Sequence, residues 1–144
     1  MLKCIGKYMN KDSVIGIIGA MDEEVSKIKD SLENISIRKM ASMEFYEGKL
    51  YDIDVVIVRS GIGKVNAGIC AQILVDIYNV SAIINTGIAG SLNANINIGD
   101  IVLSEDAVQH DMDAVAFGYD LGVIPRMENS TFVADKELIE IAEK

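Results

Sequence analysis

Asp22, Glu23 and Glu24 stand in a row directly after the small-residue turn Gly19-Ala20-Met21. A carboxylate in such a place can serve as a general base if a pocket raises its pKa. The same run also suits the solvated first turn of a helix, where the helix dipole favours negative charge. Position by itself neither decides between these readings nor selects one acid of the three. Two further turns share the small-residue character, Ser60-Gly61-Ile62-Gly63 and Gly87-Ile88-Ala89-Gly90. Gly61, Gly63 and Gly68 miss the dinucleotide-binding fingerprint, because the third glycine follows the second by five residues rather than three. Lys64 is followed by Val65, not by the Ser or Thr of a phosphate loop. What remains is a strand-to-helix turn whose backbone can approach a small ligand and present amide donors, and a plain tight turn has the same sequence. His110, Asp111 and Asp113 offer one imidazole and two carboxylates. A metal site wants three or four ligands at suitable spacing and the chain has a single histidine, so neither metal nor cofactor is expected.

These groups need elements to hold them. The β-branched run Val14–Gly19 (VIGIIG) predicts a strand buried on both faces of a parallel sheet. A helix follows at once, with Met21, Val25, Ile28 and Leu32 at helical spacing. MEFYEGKLYDIDVVIVRS predicts a hairpin with strands Glu44–Leu50 and Ile53–Arg59 joined near Tyr51-Asp52. Val65, Ile69, Ile73 and Ile77 predict a helix with one apolar stripe. Ser81–Gly87 and Ile98–Ser104 predict two more strands, and Asp135 opens a helix as its N-cap. Strands alternating with helices give an α/β fold with a central mixed, mostly parallel sheet flanked by helices. The three small-residue turns then line the carboxyl ends of strands, the edge where open α/β sheets bind ligands. FGYDLGVIPRM reads as an extended loop, with Phe117, Tyr119 and Pro125 either core or an interface patch.

Half of the 144 residues are hydrophobic, which suits one domain with a real core. A formal charge of −9 and the absence of tryptophan argue against nucleic acid as a partner. No stretch approaches the roughly 20 apolar residues of a membrane span, and the first thirteen residues carry three lysines without a signal-length apolar run. Cys4 and Cys70 match no metal or redox spacing, so a cytoplasmic protein with Cys70 in its core is expected. The chain closes inside an amphipathic helix pattern with no C-cap glycine, and a truncation is expected there.

Four blocks in order and register carry a resemblance over nearly all of Val14 to Lys144: GIIGAMDEE (16–24), SGIGKVNA (60–67), NTGIAGS (85–91) and HDMDAVAFGYDLGVIP (110–125). Together they resemble the bacterial 5′-methylthioadenosine/S-adenosylhomocysteine nucleosidases. The resemblance implies a nucleoside phosphorylase-like fold, truncated at the C-terminus, with residues 14–144 as the N-terminal part of a single domain and residues 1–13 as an extension. It implies a homodimer that hydrolyses the N-glycosidic bond of methylthioadenosine and adenosylhomocysteine, with a small nucleoside as ligand.

Residue by residue, Glu24 matches the family's proton acceptor, which makes Asp22 and Glu23 bystanders. Ala89 and Gly90 match backbone that contacts purine and ribose, and Ala20, Met21 and Ile62 fall in the blocks that line the ribosyl and thioalkyl parts of the pocket. Ala114, Phe117, Tyr119 and Pro125 match a loop that reaches into the neighbouring subunit's site. Ile88 stands where relatives often have serine, a departure that bears on one polar contact near the water. The family's later half, which supplies the acid that protonates adenine, lies beyond these residues, and its loss is expected to slow the reaction by about 10² to 10⁴. The alternatives are a nucleoside phosphorylase, which needs arginines for phosphate, and an inactive nucleoside-binding fragment.

Overall fold

A computed structural model describes residues 13–144 of the chain. The proposed extension, Ser13 apart, and Cys4 lie outside the described residues. The chain divides into two compact units, one ending at Leu92 and the other spanning 93–144.

The first unit is a five-stranded sheet with a helix on each face. Its strands are β1 (Ile15–Gly19), β2 (Glu33–Met40), β3 (Met43–Leu50), β4 (Ile53–Arg59) and β5 (Ala82–Asn85), in the order β2-β3-β4-β1-β5. β1 runs parallel to both β4 and β5, whereas β2–β3 and β3–β4 are antiparallel. The sheet is therefore mixed as expected, but its pairings divide evenly rather than being mostly parallel. The reason is β2, a strand the sequence reading passed over. Seven of its eight residues are exposed, Ile35 and Ile37 among them, so its brief apolar alternation marks no buried face; pairing with β3 holds it, with Met40 at the edge of the core and Arg38 over the Tyr78 ring. Tyr51 and Asp52 both take positive φ, 50° and 68°, which makes the tight hairpin turn whose twist matches its strands.

β1 is buried along its whole length, as a central parallel strand must be. Its alternate residues serve opposite faces. Ile15 and Ile17 pack with Val55, Ile57, Val25 and Leu32 beneath helix α1 (Asp22–Lys29). Ile18 packs with Val56, Val58, Phe45, Cys70 and Leu74 beneath helix α2 (Lys64–Asp76). Gly16 lets α2 come close, since a Cβ there would stand 2.9 Å from a Leu74 methyl.

The face that α2 buries is not the predicted stripe. Cys70 and Leu74 are fully buried, while Val65, Ile69 and Ile77 are exposed and Ile73 packs at the edge of the cluster. This helix is apolar on more than one side, so periodicity cannot say which side meets the sheet. Cys70 is core, and burial pushes its thiol pKa up to about 11.

The second unit holds the short antiparallel pair β6 (Asp106–Val108) and β7 (Thr131–Val133), a 3₁₀ turn at Val115–Phe117, and helix α3 (Lys136–Ala142). α3 begins as predicted, with Asp135 Oδ1 accepting from the N–H groups of Glu137 and Leu138 at 2.9 and 3.1 Å. The strand predicted at Ile98–Ser104 is absent: those residues are exposed and irregular, and pairing starts only at Asp106. Its apolar residues resembled a strand, but no neighbour supplies a ladder. Among the described residues no helix is long and apolar enough to cross a membrane.

Candidate functional site

β1, β4 and β5 are parallel and end nearly level, Gly19 pairing with Arg59 and Ile18 with Asn85. Their exit turns therefore gather at one edge of the sheet. Two backbone bonds carry the ladder past the strands: Ser60 N–H donates to Gly19 O and Thr86 N–H to Ile18 O, both at 2.9 Å. Gly19 allows the first turn of α1 to lie against the end of β1, because a Cβ there would be 2.6 Å from Val25 Cγ1 and 3.0 Å from Glu24 Cβ.

Glu24 is the third residue of α1, and its carboxylate folds back on the turn before the helix. Oε2 accepts the N–H groups of Ala20 at 2.7 Å and Met21 at 2.9 Å. So far this is a local device, satisfying amides that a helix start leaves without partners. The third bond is not local. Oε1 accepts the N–H of Ile88 at 3.0 Å, from the turn after β5 and 64 residues away in sequence. Gly87 makes that approach possible, since a Cβ at this position would stand 2.7 Å from Oε1.

These donors hold the Glu24 carboxyl below its ordinary pKa, Ile88 contributing most, then Met21, with desolvation opposing them and Ala20 adding to the lowering. The condition attached to Glu24 from sequence, a pocket that raises its pKa, is thus not what the fold supplies. Fixed N–H donors outweigh the loss of water, and the group is an ionised acceptor at neutral pH. A carboxylate has about four lone-pair sites. With three filled by backbone, one is left for a single further donor such as a water molecule.

The neighbouring acids are placed otherwise. Asp22 is exposed and lies 3.4 Å from Arg59 Nε and 4.0 Å from Lys29 Nζ, and Glu23 is exposed. Geometry thus separates Glu24 from the other two.

Of the other residues singled out, Ala20, Met21 and Ile88 meet at Glu24 through their backbone N–H groups. The Ile88 side chain is exposed, so isoleucine in place of serine leaves the amide contact intact. Ala89 and Gly90 continue the same exposed turn. Ile62 is exposed between β4 and α2, its carbonyl accepting from Asn66 Nδ2 at 2.9 Å. Gly61 and Gly63 on either side take φ of 84° and 104°, values that favour glycine.

Ala114, Phe117, Tyr119 and Pro125 belong to the second unit. Ala114 is buried and its carbonyl accepts from Phe117 N–H at 2.9 Å. Phe117 itself is 83% exposed, so no core covers that ring among the described residues. Among the described residues no group of three or more His, Cys, Asp or Glu side chains could hold a metal ion.

Sequence reading missed three contributors, Gly19, Ser60 and Gly87, as individual residues. Their turns were visible as clusters of small residues. Which glycine faces a carboxylate, and that Ser60 is the buried polar residue of the edge, depend on neighbours distant in sequence.

The chain is 48% identical over 131 residues to the 5′-methylthioadenosine/S-adenosylhomocysteine nucleosidase of Staphylococcus saprophyticus, covering 91% of this chain and 57% of that protein. Its fold is similar to the crystal structure of such a nucleosidase from Colwellia psychrerythraea 34H in complex with adenine, at a TM-score of 0.87 and 40% identity, covering 91% of this chain and 54% of that one. It is equally similar, at a TM-score of 0.87 and 34% identity, to the Neisseria meningitidis nucleosidase in complex with methylthio-immucillin-A, covering 91% and 56%. The chain thus spans little more than half the length of the relatives it matches. A family model described as the phosphorylase superfamily matches residues 14–144, through both units, and the chain belongs to that superfamily.

Proposed function

We propose that this protein cleaves the N-glycosidic bond of 5′-methylthioadenosine and S-adenosylhomocysteine with water, releasing adenine and the thioribose. The observation that carries the reading is the Glu24 carboxylate, held by three backbone N–H groups from two exit turns with one acceptor site left over. As the bond from C1′ to adenine stretches, positive charge grows on the ribose and a water held by Glu24 attacks C1′. The water proton becomes strongly acidic while the new C–O bond forms, so a carboxylate of low pKa suffices to take it. Adenine leaves with the electron pair of the broken bond and takes up one proton, from a general acid in the family's later half.

In this reading Ala20, Met21, Ile62, Ile88, Ala89 and Gly90 line the substrate pocket. Ala114, Phe117, Tyr119 and Pro125 form a loop lent to the partner subunit of a homodimer. Residues 14–144 form the N-terminal part of one domain, supported by the family model that runs through both units. The protein works in the cytoplasm and without a cofactor, as composition and cysteine usage suggest.

Phosphorolysis is the rival within the superfamily, and an ionised Glu24 beside the reacting carbon would repel a phosphate nucleophile. The test is adenine release from methylthioadenosine in phosphate-free buffer, with Glu24→Gln, Asp22→Asn and Glu23→Gln variants of the intact protein. Glu24→Gln is expected to lower turnover by about 10² to 10⁴ while substrate still binds, and its neighbours to have mild effects. Release that requires phosphate, or a larger loss at Asp22 or Glu23, would overturn the reading.

A further inference from the structure

Ser60 is the buried polar residue at the edge that carries Glu24, 4% exposed, and nothing in the reaction above uses it. Its backbone N–H donates to Gly19 O at 2.9 Å. Its hydroxyl lies between two carbonyls, 2.9 Å from Gly61 O and 3.4 Å from Gly19 O. The Gly19 carbonyl and the Ala20 N–H belong to one peptide unit, which is planar and trans, so the two groups point in opposite directions. At one edge of that plane Ser60 holds the oxygen. At the opposite edge the Ala20 N–H reaches Glu24 Oε2 at 2.7 Å, the shortest of the carboxylate's three bonds.

We propose that Ser60 is a positioning residue: it fixes the Gly19–Ala20 peptide plane by tying it to the exit turn of β4, and so aims the Ala20 N–H at the Glu24 carboxylate. The inference rests on Glu24 being the group that handles the water. Pinning the carbonyl also strengthens the N–H as a donor, because hydrogen bonds through one peptide polarise each other. The hydroxyl has one proton, which lies nearer Gly61 O, and Gly19 O is its longer second acceptor, so the hydroxyl adds to the hold of the Ser60 N–H on the Gly19 carbonyl. Tying the β1 and β4 exits sets one half of the carboxylate's cradle, while Ile88, after β5, sets the other. Nearby charged side chains leave this role to the backbone: Asp22 faces Lys29 and Arg59, and the causes that lower the Glu24 pKa are N–H groups alone.

The test is a carboxyl-carbon NMR titration of Glu24 in the intact protein, with Ser60→Ala, Ser60→Thr and Ser60→Cys. Removing the hydroxyl is expected to raise the Glu24 midpoint by about 0.3 pH unit, a twofold change in its acid constant, and to shift the Ala20 amide resonance. Ser60→Thr restores the hydroxyl and returns both signals toward the parent. A Ser60→Ala midpoint equal to the parent's, in a protein with an otherwise native spectrum, would overturn the inference. If Ser60→Ala does not fold, Ser60→Cys, with its weak donor, is judged by the same criterion. The readout requires no turnover, so a failure of the nucleosidase reading and a failure of the Ser60 inference are seen separately.

Discussion

The two units of the chain bury their side chains very differently. In residues 13–92, β1 and β4 are wrapped on both faces, and Phe45, Ile57, Leu74 and Val25 are wholly buried. In residues 93–144 only Ala114 and Ile141 are buried hydrophobics, while Ile98, Ile101, Phe117, Leu121 and Val133 are exposed. Order in the second unit comes from backbone closures instead, such as Gly122 N–H to Met112 O at 2.8 Å and Ala134 N–H to Glu105 O at 2.9 Å. A carboxylate gripped by backbone N–H groups from two separate turns needs packed strands below it, and Glu24 has them. The Phe117 loop has no such layer within its own unit, which suits a segment that acts by contact with something else.

Four substitutions can break or sharpen this contrast. The largest effect is expected in the packed unit: Phe45→Ala should destabilise by about 3–5 kcal/mol, read as a lower urea midpoint. A change below about 1 kcal/mol would mean that the core on the α2 face is softer than its burial shows.

A smaller effect is expected at the cradle itself. Gly87→Ala should cost about 1–3 kcal/mol and raise the Glu24 midpoint, because the new Cβ displaces the carboxylate from Ile88 N–H. Gly90, three residues on and facing open space, should accept alanine within about 0.5 kcal/mol. Equal responses at the two glycines would remove the argument for a built cradle.

The smallest effect on folding is expected at the exposed loop, where Phe117→Ser should change stability by under about 0.5 kcal/mol. Its consequence should appear in association: lower mass in solution and weaker methylthioadenosine binding by the intact protein. A dimer of unchanged mass that binds normally would make the loop local packing.

Much of the fold was legible because its signals are local. The unbroken apolar run of β1, the acids opening α1, the Tyr51-Asp52 turn and the Asp135 cap each act within three or four residues. What was lost lacked a local signal or carried a false one. β2 alternates only over Ile35-Ser36-Ile37, and both isoleucines are exposed, so the pattern marks no buried face. Ile98–Ser104 has strand-like residues without a partner. Val65, Ile69 and Ile77 form a stripe on a helix that buries Cys70 and Leu74 instead.

The site divides along the same line. By itself the sequence determined that small-residue turns end three strands, that one of them runs into a row of acids, and that the blocks around them resemble a nucleosidase. Only the tertiary structure decided how the third acid of that row is held and in what state. Parallel pairing of β1 with β4 and β5 brings Gly19, Ser60 and Gly87 to one edge. There the Ile88 N–H reaches Glu24 across 64 residues and helps keep it ionised. Such a bond depends on strand order and register, which are settled by burial of whole faces, whereas a cap or a turn is settled by the residues beside it.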